Sequence, residues 1–194
     1  MMIRPYENED EKGWLRCRVL AFLNTAYYDH VLKEKEHYKG PSIELVAAEG
    51  EEIIGLIDLE LDMQPGEVCS NPELRGAMIR HLAVHPDHQR KGIGRMLLLE
   101  ALERARTAGA QYLEAWTRED RWVSDWYNQM GFEPVQSYFE VYIERQEDLK
   151  AIAECKVPHL RPISMFAHYD GSDKAFVFSK FSRAYETVRY DLLL

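Results

Sequence analysis

The segment Leu82–Arg95 constrains the possible folds of this chain more than any other stretch. Its sequence, LAVHPDHQRKGIGR, contains the end of an apolar strand, a proline that stops the strand, a polar turn and two glycines that open a helix. Apolar residues then form one stripe from Ile93 to Ala108, and Gly109 is a natural C-terminal stop. The pattern predicts a buried strand, a tight loop and a long helix, in that order.

The start of this predicted helix is suited to binding an anion. Backbone N–H groups of a first helical turn lack partners and lie at the positive end of the helix dipole. Glycine lets a phosphate approach the backbone without a Cβ in the way. Residues 80–95 carry four basic side chains and one acidic one, a local charge of +3, although the whole chain has a formal charge of −9.

Two common phosphate-binding motifs do not fit these residues. A Walker loop needs Lys and then Ser or Thr after its last glycine, whereas Gly94 is followed by Arg95 and Met96. A dinucleotide-binding motif needs a third small residue where this chain has Leu97. Neither nucleotide site is therefore expected.

The rest of the chain shows antiparallel strand patterns first and alternating strands and helices later. Predicted strands are Ile3–Pro5, Ser42–Ala48, Ile53–Leu61, Ala77–Val84, Gln111–Thr117, Gln136–Ile143 and Ala175–Phe181. Predicted helices are Trp14–Leu23, Tyr27–Tyr38, Ile93–Ala108 and Trp122–Met130. This order predicts an α/β fold with a mixed, mostly antiparallel sheet and flanking helices.

Composition excludes several classes of function. The chain is 46% hydrophobic and 29% charged, which is ordinary for a globular protein, and its acidity argues against a nucleic-acid partner. The three cysteines, Cys17, Cys69 and Cys155, are too scattered for a disulfide framework or a zinc pattern, and no metal is expected. No apolar run has the length of a signal sequence or membrane span, so we expect a cytoplasmic protein without a membrane partner.

Two motifs together resemble the GNAT superfamily of acyl-CoA-dependent N-acyltransferases. The first is Gln89-x-x-Gly92-x-Gly94, which follows the strand end described above. The second is WYNQMGF at Trp126–Phe132, which is similar to the Tyr-x-x-x-Gly-Phe element of that family. They occur in the family's order with a predicted strand between them. The resemblance extends from Ile3 and becomes loose after residue 139.

The resemblance implies acetyl-CoA as cosubstrate and a GNAT-like sheet whose central strands, Ala77–Val84 and Gln111–Thr117, splay apart to admit the thioester. Main-chain groups of Leu82 and Val84 would contact the pantetheine arm. The residues that would surround the pyrophosphate are Gln89, Arg90, Lys91, Gly92, Gly94 and Arg95.

Tyr127 matches the family's tyrosine that protonates the departing thiolate, a role that a phenol can fill as a general acid. The alternative is that Tyr127 only packs with its aromatic neighbours on the same helix. A base for the amine is harder to find. The family's usual base positions on the fourth strand hold Arg80 and Met78, and neither is a base.

Three carboxylates that alternate along the third strand, Asp58, Glu60 and Asp62, are the better candidates for the base, and Glu60 is the one we predict. The alternative, that these carboxylates only form the solvent-exposed face of the strand, fits the pattern equally well. Strand alternation is expected to turn His81 away from the face that carries Arg80, which would make it a packing histidine.

The sequence therefore predicts one domain, with a core over residues 1–144 and an extension over 145–194 that completes or decorates it. The expected activity is transfer of an acetyl group from acetyl-CoA to a primary amine, on a small molecule or a peptide, by direct attack in a ternary complex. The alternative is a non-catalytic acyl-CoA-binding sensor or interaction module. Residues 145–172 could form a lid over the acceptor, a homodimer contact or a peripheral layer.

Overall fold

Eight strands and five α-helices make up the part of the chain that the computed structural model describes, residues 1–152 and 155–194. The strands are β1 (Met2–Pro5), β2 (Ser42–Glu49), β3 (Glu52–Leu61), β4 (Gly76–Val84), β5 (Tyr112–Arg118), β6 (Glu133–Ile143), β7 (Met165–Tyr169) and β8 (Arg183–Leu193). The helices are α1 (Glu11–Phe22), α2 (Ile93–Thr107), α3 (Arg121–Gln129), α4 (Gln146–Ile152) and α5 (Lys174–Lys180). Residues 153 and 154 of the predicted C-terminal extension lie outside the described residues.

All eight strands form one sheet in the order β1-β2-β3-β4-β5-β8-β6-β7. Neighbours are antiparallel throughout the described strands except for β4 and β5, which are parallel. The last strand of the chain lies between β5 and β6, so residues after 144 are part of the same sheet. The predicted mixed, mostly antiparallel sheet with flanking helices is confirmed.

The parallel pair separates soon after it begins. β4 and β5 are paired only from Gly76 opposite Tyr112 to Ile79 opposite Ala115. Beyond that point β4 is paired with β3 alone, and β5 is paired with β8 alone. The facing edges of residues 80–84 and 116–118 are therefore not paired with each other, and we call the opening between them the β4–β5 cleft.

A β-bulge in β4 lies at the start of this cleft. The register between β3 and β4 runs from Leu59 opposite Ile79 to Asp58 opposite His81, and it skips Arg80. A bulge inserts one extra residue into one strand and changes the direction of the side chains around it.

Helices cover the sheet on both faces. α1 packs across β2, β3 and β4 and buries Trp14 and Cys17 against Val46 and Leu56, and we call this side the α1 face. It approaches the sheet so closely that a Cβ on Gly13 would lie 2.7 Å from Cγ1 of Ile53. No helix in the described part of the chain is long and apolar enough to cross a membrane.

The opposite face carries α2 and α3. The apolar stripe of α2 is buried there, with Leu97, Ala101 and Ala105 fully inaccessible to solvent. This stripe is the feature that made α2 the clearest helix in the sequence.

Two of the predicted secondary-structure elements were wrong. The helix expected over Tyr27–Tyr38 is an irregular segment that contains hydrogen-bonded turns, such as His30 N–H to the Tyr27 carbonyl at 2.9 Å. The strand expected over Ala175–Phe181 is helix α5, which is capped by the Asp173 carboxylate accepting from the N–H of Phe176 at 2.8 Å.

Candidate active site

Main-chain groups on the free edge of β4 point into the β4–β5 cleft. The N–H of His85 donates to the carbonyl of Ile54 on β3 at 2.9 Å. Because backbone groups alternate in direction along an antiparallel pair, the N–H and C=O groups of Leu82 and Val84 are directed away from β3. These are the two residues predicted to bind a pantetheine arm, and their role toward that ligand stays a prediction.

The loop after β4 is held by its own side chains. The Gln89 amide donates to the carbonyl of Val84 at 3.1 Å, and Lys91 Nζ donates to the carbonyl of Asp87 at 3.1 Å. The backbone takes positive φ at Arg90 (58°) and Gly92 (80°). The structure therefore places the Gln89 amide on the strand end, where it fixes the loop, and leaves the basic heads of Arg90 and Arg95 exposed.

The N-terminus of α2 faces the same region. Gly92 is the N-cap, and no side chain of the described residues caps it. A Cβ on Gly94 would lie 3.6 Å from Cγ2 of Val84 and 3.8 Å from Cζ2 of Trp126, which places the first turn of α2 between β4 and α3. Free N–H groups and nearby cationic side chains are the donors that a diphosphate requires, so these residues fit the pyrophosphate of a CoA ester.

Tyr127 lies on α3, against the end of the sheet. Its ring stacks on Tyr190 with centroids 5.2 Å apart and meets Phe132 edge-on at 5.1 Å. Its hydroxyl makes no hydrogen bond to any described residue. Burial raises the pKa of the Tyr127 phenol well above its usual value, and the nearby Tyr27 phenol raises it further. Tyr127 therefore keeps its proton at neutral pH and is available as a donor.

The irregular segment of residues 24–41 covers the end of β5. Tyr27 accepts a hydrogen bond on its hydroxyl oxygen from the N–H of Arg118 at 2.7 Å. The Arg118 guanidinium is buried and donates to the carbonyl of Ala26 at 2.6 Å and to the Glu140 carboxylate. The segment is therefore pinned to β5 at the mouth of the cleft.

The three carboxylates predicted on β3 are buried rather than solvated, and each has a different partner. Asp58 binds Lys35 at 2.9 Å, and Glu60 binds Arg80 through Nε at 2.8 Å and Nη2 at 2.5 Å. Asp62 accepts three backbone N–H groups, including that of Gly76 at 2.8 Å, and so closes the loop between β3 and β4. Whether Glu60 acts as a base stays a prediction.

His81 does not follow the expected alternation, because the bulge turns Arg80 and His81 to the same side. Arg80 reaches Glu60, and His81 lies over Asp58, which is on the same face of β3. The imidazole packs edge-on against Trp14 at 5.0 Å on the α1 face. The expectation that His81 would face away from Arg80 was wrong, since a bulge leaves no pattern in a single sequence.

Four charged residues near the cleft were not predicted from the sequence as part of the site: Arg18, Lys35, Glu36 and Arg118. The position of Arg18 could have been recognised from the sequence. It lies four residues after Trp14, on the buried face of α1, and a buried charge needs a partner. The other three depend on contacts between distant segments.

Three side chains lie beside the loop between β4 and α2, residues 85–92, which we call the glycine loop. Glu52, His85 and His88 have ligand atoms within 4.8 Å of one another. Such a set suits a divalent transition metal. Glu52 is exposed, however, and Nδ1 of His85 already accepts the N–H of Asp87 at 3.3 Å. The expectation of a protein without a metal stays a prediction.

Comparison with known proteins supports the same interpretation of the fold. Residues 6–132 match the model of the acetyltransferase (GNAT) family. Among curated proteins, no sequence matches this chain.

Solved structures resemble the whole chain in fold. The ribosomal-protein-alanine N-acetyltransferase from Brucella melitensis is 16% identical with a TM-score of 0.61, and the match covers 100% of both chains. The ribosomal-protein-S18-alanine N-acetyltransferase from Escherichia coli is 12% identical with a TM-score of 0.59, covering 99% of this chain and 92% of that one. A GNAT family acetyltransferase from Elizabethkingia anophelis, solved with acetyl-CoA bound, is 16% identical with a TM-score of 0.55, covering 100% and 97%.

The family match spans most of the chain, and it contains both the glycine loop and the tyrosine motif. This protein belongs to the acetyltransferase (GNAT) family of acyl-CoA N-acyltransferases.

Proposed function

We propose that the protein transfers an acetyl group from acetyl-CoA to a primary amine by direct attack in a ternary complex. The observation that carries the proposal is the early separation of β4 from β5 after Ile79 and Ala115. The separation leaves an unpaired strand edge beside the N-terminus of α2, and α3 brings the Tyr127 motif to the same end of the sheet.

The residues of the loop and strand edge account for cosubstrate binding. Leu82 and Val84 offer main-chain groups to the amides of a pantetheine arm. The first turn of α2 and the side chains of Arg90, Lys91 and Arg95 offset the charge of a diphosphate. When bound, acetyl-CoA supplies the activated acyl group as a thioester.

Tyr127 supplies a proton to the thiolate that leaves. Its hydroxyl has no partner in the described part of the chain, and burial holds its pKa high, so it donates readily only when an anion develops nearby.

The cysteines favour direct attack over a covalent intermediate. Cys17 and Cys69 are buried, and burial raises the pKa of the Cys17 thiol to about 12. A thiol in that state is a poor nucleophile. Cys155 is exposed, follows α4 and belongs to neither motif.

The need for a base bears on which amine is the acceptor. Glu60 is the sequence-based candidate, but its Oε2 already accepts two hydrogen bonds from the Arg80 guanidinium. An α-amine, with an ordinary pKa of about 7.7–8.0, is partly unprotonated at neutral pH and depends least on an enzymic base. This favours an N-terminal amine over a lysine side chain as acceptor, and two of the structural neighbours are named as alanine N-acetyltransferases.

The test is to incubate the protein with acetyl-CoA and a panel of amines and to measure free thiol release. The panel contains spermidine, free amino acids, an aminoglycoside and a peptide that begins with alanine. We expect turnover with at least one amine. Thermal stabilisation by acetyl-CoA without turnover on any amine would support the sensor alternative, which the absence of a base on β4 at residues 78 and 80 favours. Absence of any stabilisation would overturn the proposed cosubstrate.

A further inference from the structure

We propose that Glu36 binds the ammonium group of the acceptor, and that Arg18 and His81 are positioning residues that orient its carboxylate. The inference rests on the proposed function and names the residue that recognises the amine.

Glu36 lies at the mouth of the β4–β5 cleft. Its Oε2 is 2.9 Å from Nε2 of His81. His81 follows the bulge in β4, two residues after Ile79, where the pairing with β5 ends. Glu36 therefore stands on the α1 face beside the point at which the strands separate.

The tautomer of His81 is fixed by its other neighbour. The Arg18 Nε–H donates to Nδ1 of His81 at 3.2 Å. Since a guanidinium can only donate, Nδ1 must accept, and the proton of a neutral imidazole is on Nε2. His81 therefore donates to Glu36, and the orientation of the carboxylate follows from the position of Arg18.

Glu36 is charged and has a free oxygen. The hydrogen bond from His81 holds the pKa of Glu36 below its ordinary value, against the opposing effect of burial, and Arg18 and Arg80 lower it further. The side chain is 48% exposed. Its Oε1 makes no hydrogen bond within the described residues.

Three other carboxylates on this face already have cationic or backbone partners. Asp58 is held by Lys35, Glu60 by Arg80, and Asp62 by backbone N–H groups. Of these four carboxylates, Glu36 is the half-exposed one whose second oxygen is open to solvent. An ammonium that reaches the cleft from the α1 face would find its acceptor there.

The backbone under Glu36 is held in place by the preceding residue. Lys35 is 1% exposed, and its Nζ donates to Asp58 at 2.9 Å and to the carbonyl of Glu36 at 3.3 Å. The N–H of Lys35 donates to Oε1 of Glu11 at 3.0 Å. A binding group held on a fixed backbone loses little entropy when its ligand arrives.

The ligand class follows from this geometry. A primary ammonium has three N–H donors, so one can bind Glu36 while another gives its proton to solvent at this half-exposed site. The neutral amine that remains keeps one N–H on Glu36 and has a lone pair for attack in the cleft. A carboxylate at this position selects for an amine over an alcohol of similar shape, because only the amine is cationic at neutral pH.

The experiment compares Glu36→Gln with Glu34→Gln. Glu34 is an exposed residue of the same segment and makes no hydrogen bond within the described residues, so both variants remove one charge from one loop. KM for the amine of the panel with the highest turnover is measured together with KM for acetyl-CoA. We expect Glu36→Gln to raise the amine KM about tenfold or more and to leave the acetyl-CoA KM within about twofold, as expected for loss of one charged hydrogen bond. Glu34→Gln should change neither.

The positioning roles are tested by conservative replacement. His81→Gln keeps an N–H donor near the position of Nε2, whereas His81→Ala removes it. We expect His81→Ala to raise the amine KM, and His81→Gln to recover most of the wild-type value, with circular dichroism checking the fold of both. Equal effects of the two variants would overturn the positioning role.

The outcomes separate the two proposals. If the wild-type protein turns over no amine, the proposed function fails and this inference fails with it. If the wild-type protein is active and Glu36→Gln has the amine KM of the wild-type enzyme, the inference alone is overturned.

Discussion

The ring of Tyr127 stacks on the ring of Tyr190 at a centroid distance of 5.2 Å and an interplanar angle of 13°. Because of this contact, the Tyr127 ring packs in the core whether or not its hydroxyl acts as a proton donor. The side chain packs through its ring, and its hydroxyl makes no hydrogen bond to a described residue. The packing role and the catalytic role can therefore be separated by removing one oxygen atom.

Tyr127→Phe is predicted to lower kcat while leaving stability unchanged. The substitution keeps the stacked ring and deletes only the proposed proton donor. Loss of a general acid costs roughly 10²- to 10⁴-fold in rate, whereas loss of an unbonded hydroxyl leaves the melting temperature nearly constant. The check is steady-state kinetics together with thermal denaturation.

Tyr190→Phe serves as the matched control, since it deletes a hydroxyl from the partner ring in the same aromatic stack. It should retain kcat within about twofold. If Tyr127→Phe also keeps full turnover, Tyr127 is a packing residue and the catalytic assignment is wrong.

Gly94→Ala is predicted to weaken acetyl-CoA binding without disturbing the fold. The new Cβ would lie at 3.6 Å from Val84 and 3.8 Å from Trp126, which are ordinary contact distances. A diphosphate at the first turn of α2 would meet this methyl group. We expect the Kd for acetyl-CoA, measured by calorimetry, to rise about tenfold, with an unchanged melting temperature. An unchanged Kd would place the diphosphate elsewhere.

Gly92→Ala should behave differently. Gly92 has φ of 80°, and no other residue lies within 4 Å of its Cβ position. An alanine there is strained by its backbone and not by its neighbours, at a cost of about 1–2 kcal/mol. Urea denaturation should show this loss in the protein without ligand, in contrast to Gly94→Ala.

The parts of the fold that the sequence predicted correctly are those governed by local patterns. The hairpin of β2 and β3, the strand β4 and the helix α2 each have strong periodicity and clear end signals, and their predicted bounds agree with the structure to within a few residues. Gly92 and Gly94 predicted the position of the loop before α2, and the Trp126–Phe132 motif predicted the position of α3.

The errors have different physical causes. A helix was predicted over Tyr27–Tyr38, but buried ionic contacts of Lys35 and a hydrogen bond from Arg118 to the carbonyl of Ala26 hold this part of the chain in irregular turns. The Asp173 cap outweighs the strand-forming residues of α5. The bulge at Arg80 reoriented His81, and no sequence pattern marks a bulge. The interaction of Arg18, His81 and Glu36 joins three segments, so it became visible only in the folded chain.

Thiol labelling of the native protein is predicted to modify Cys155 alone. Cys155 is exposed, whereas Cys17 and Cys69 are buried, and burial raises the pKa of both thiols. Titration with a disulfide reagent should detect one thiol in the native state and all 3 cysteines in denaturant. Cys155→Ser should abolish native labelling and keep full turnover, as direct attack requires. Loss of activity in Cys155→Ser would instead indicate a covalent route.

Asp10 is predicted to stabilise the fold at neutral pH and not in acid. Arg4 donates to both carboxylate oxygens, at 2.6 and 2.8 Å, and these hydrogen bonds hold the pKa of Asp10 below its usual value. A depressed pKa in the folded state means that the stabilisation is complete above the unfolded pKa of about 3.9 and is lost as the pH falls through the folded pKa. Asp10→Asn should therefore cost ~1 kcal/mol at pH 7 in urea denaturation, and the difference from wild type should shrink on acidification. Glu9→Gln, an exposed neighbour without a hydrogen bond in the described chain, should show no such dependence, and a constant difference for Asp10→Asn at all pH values would contradict the ion-pair origin.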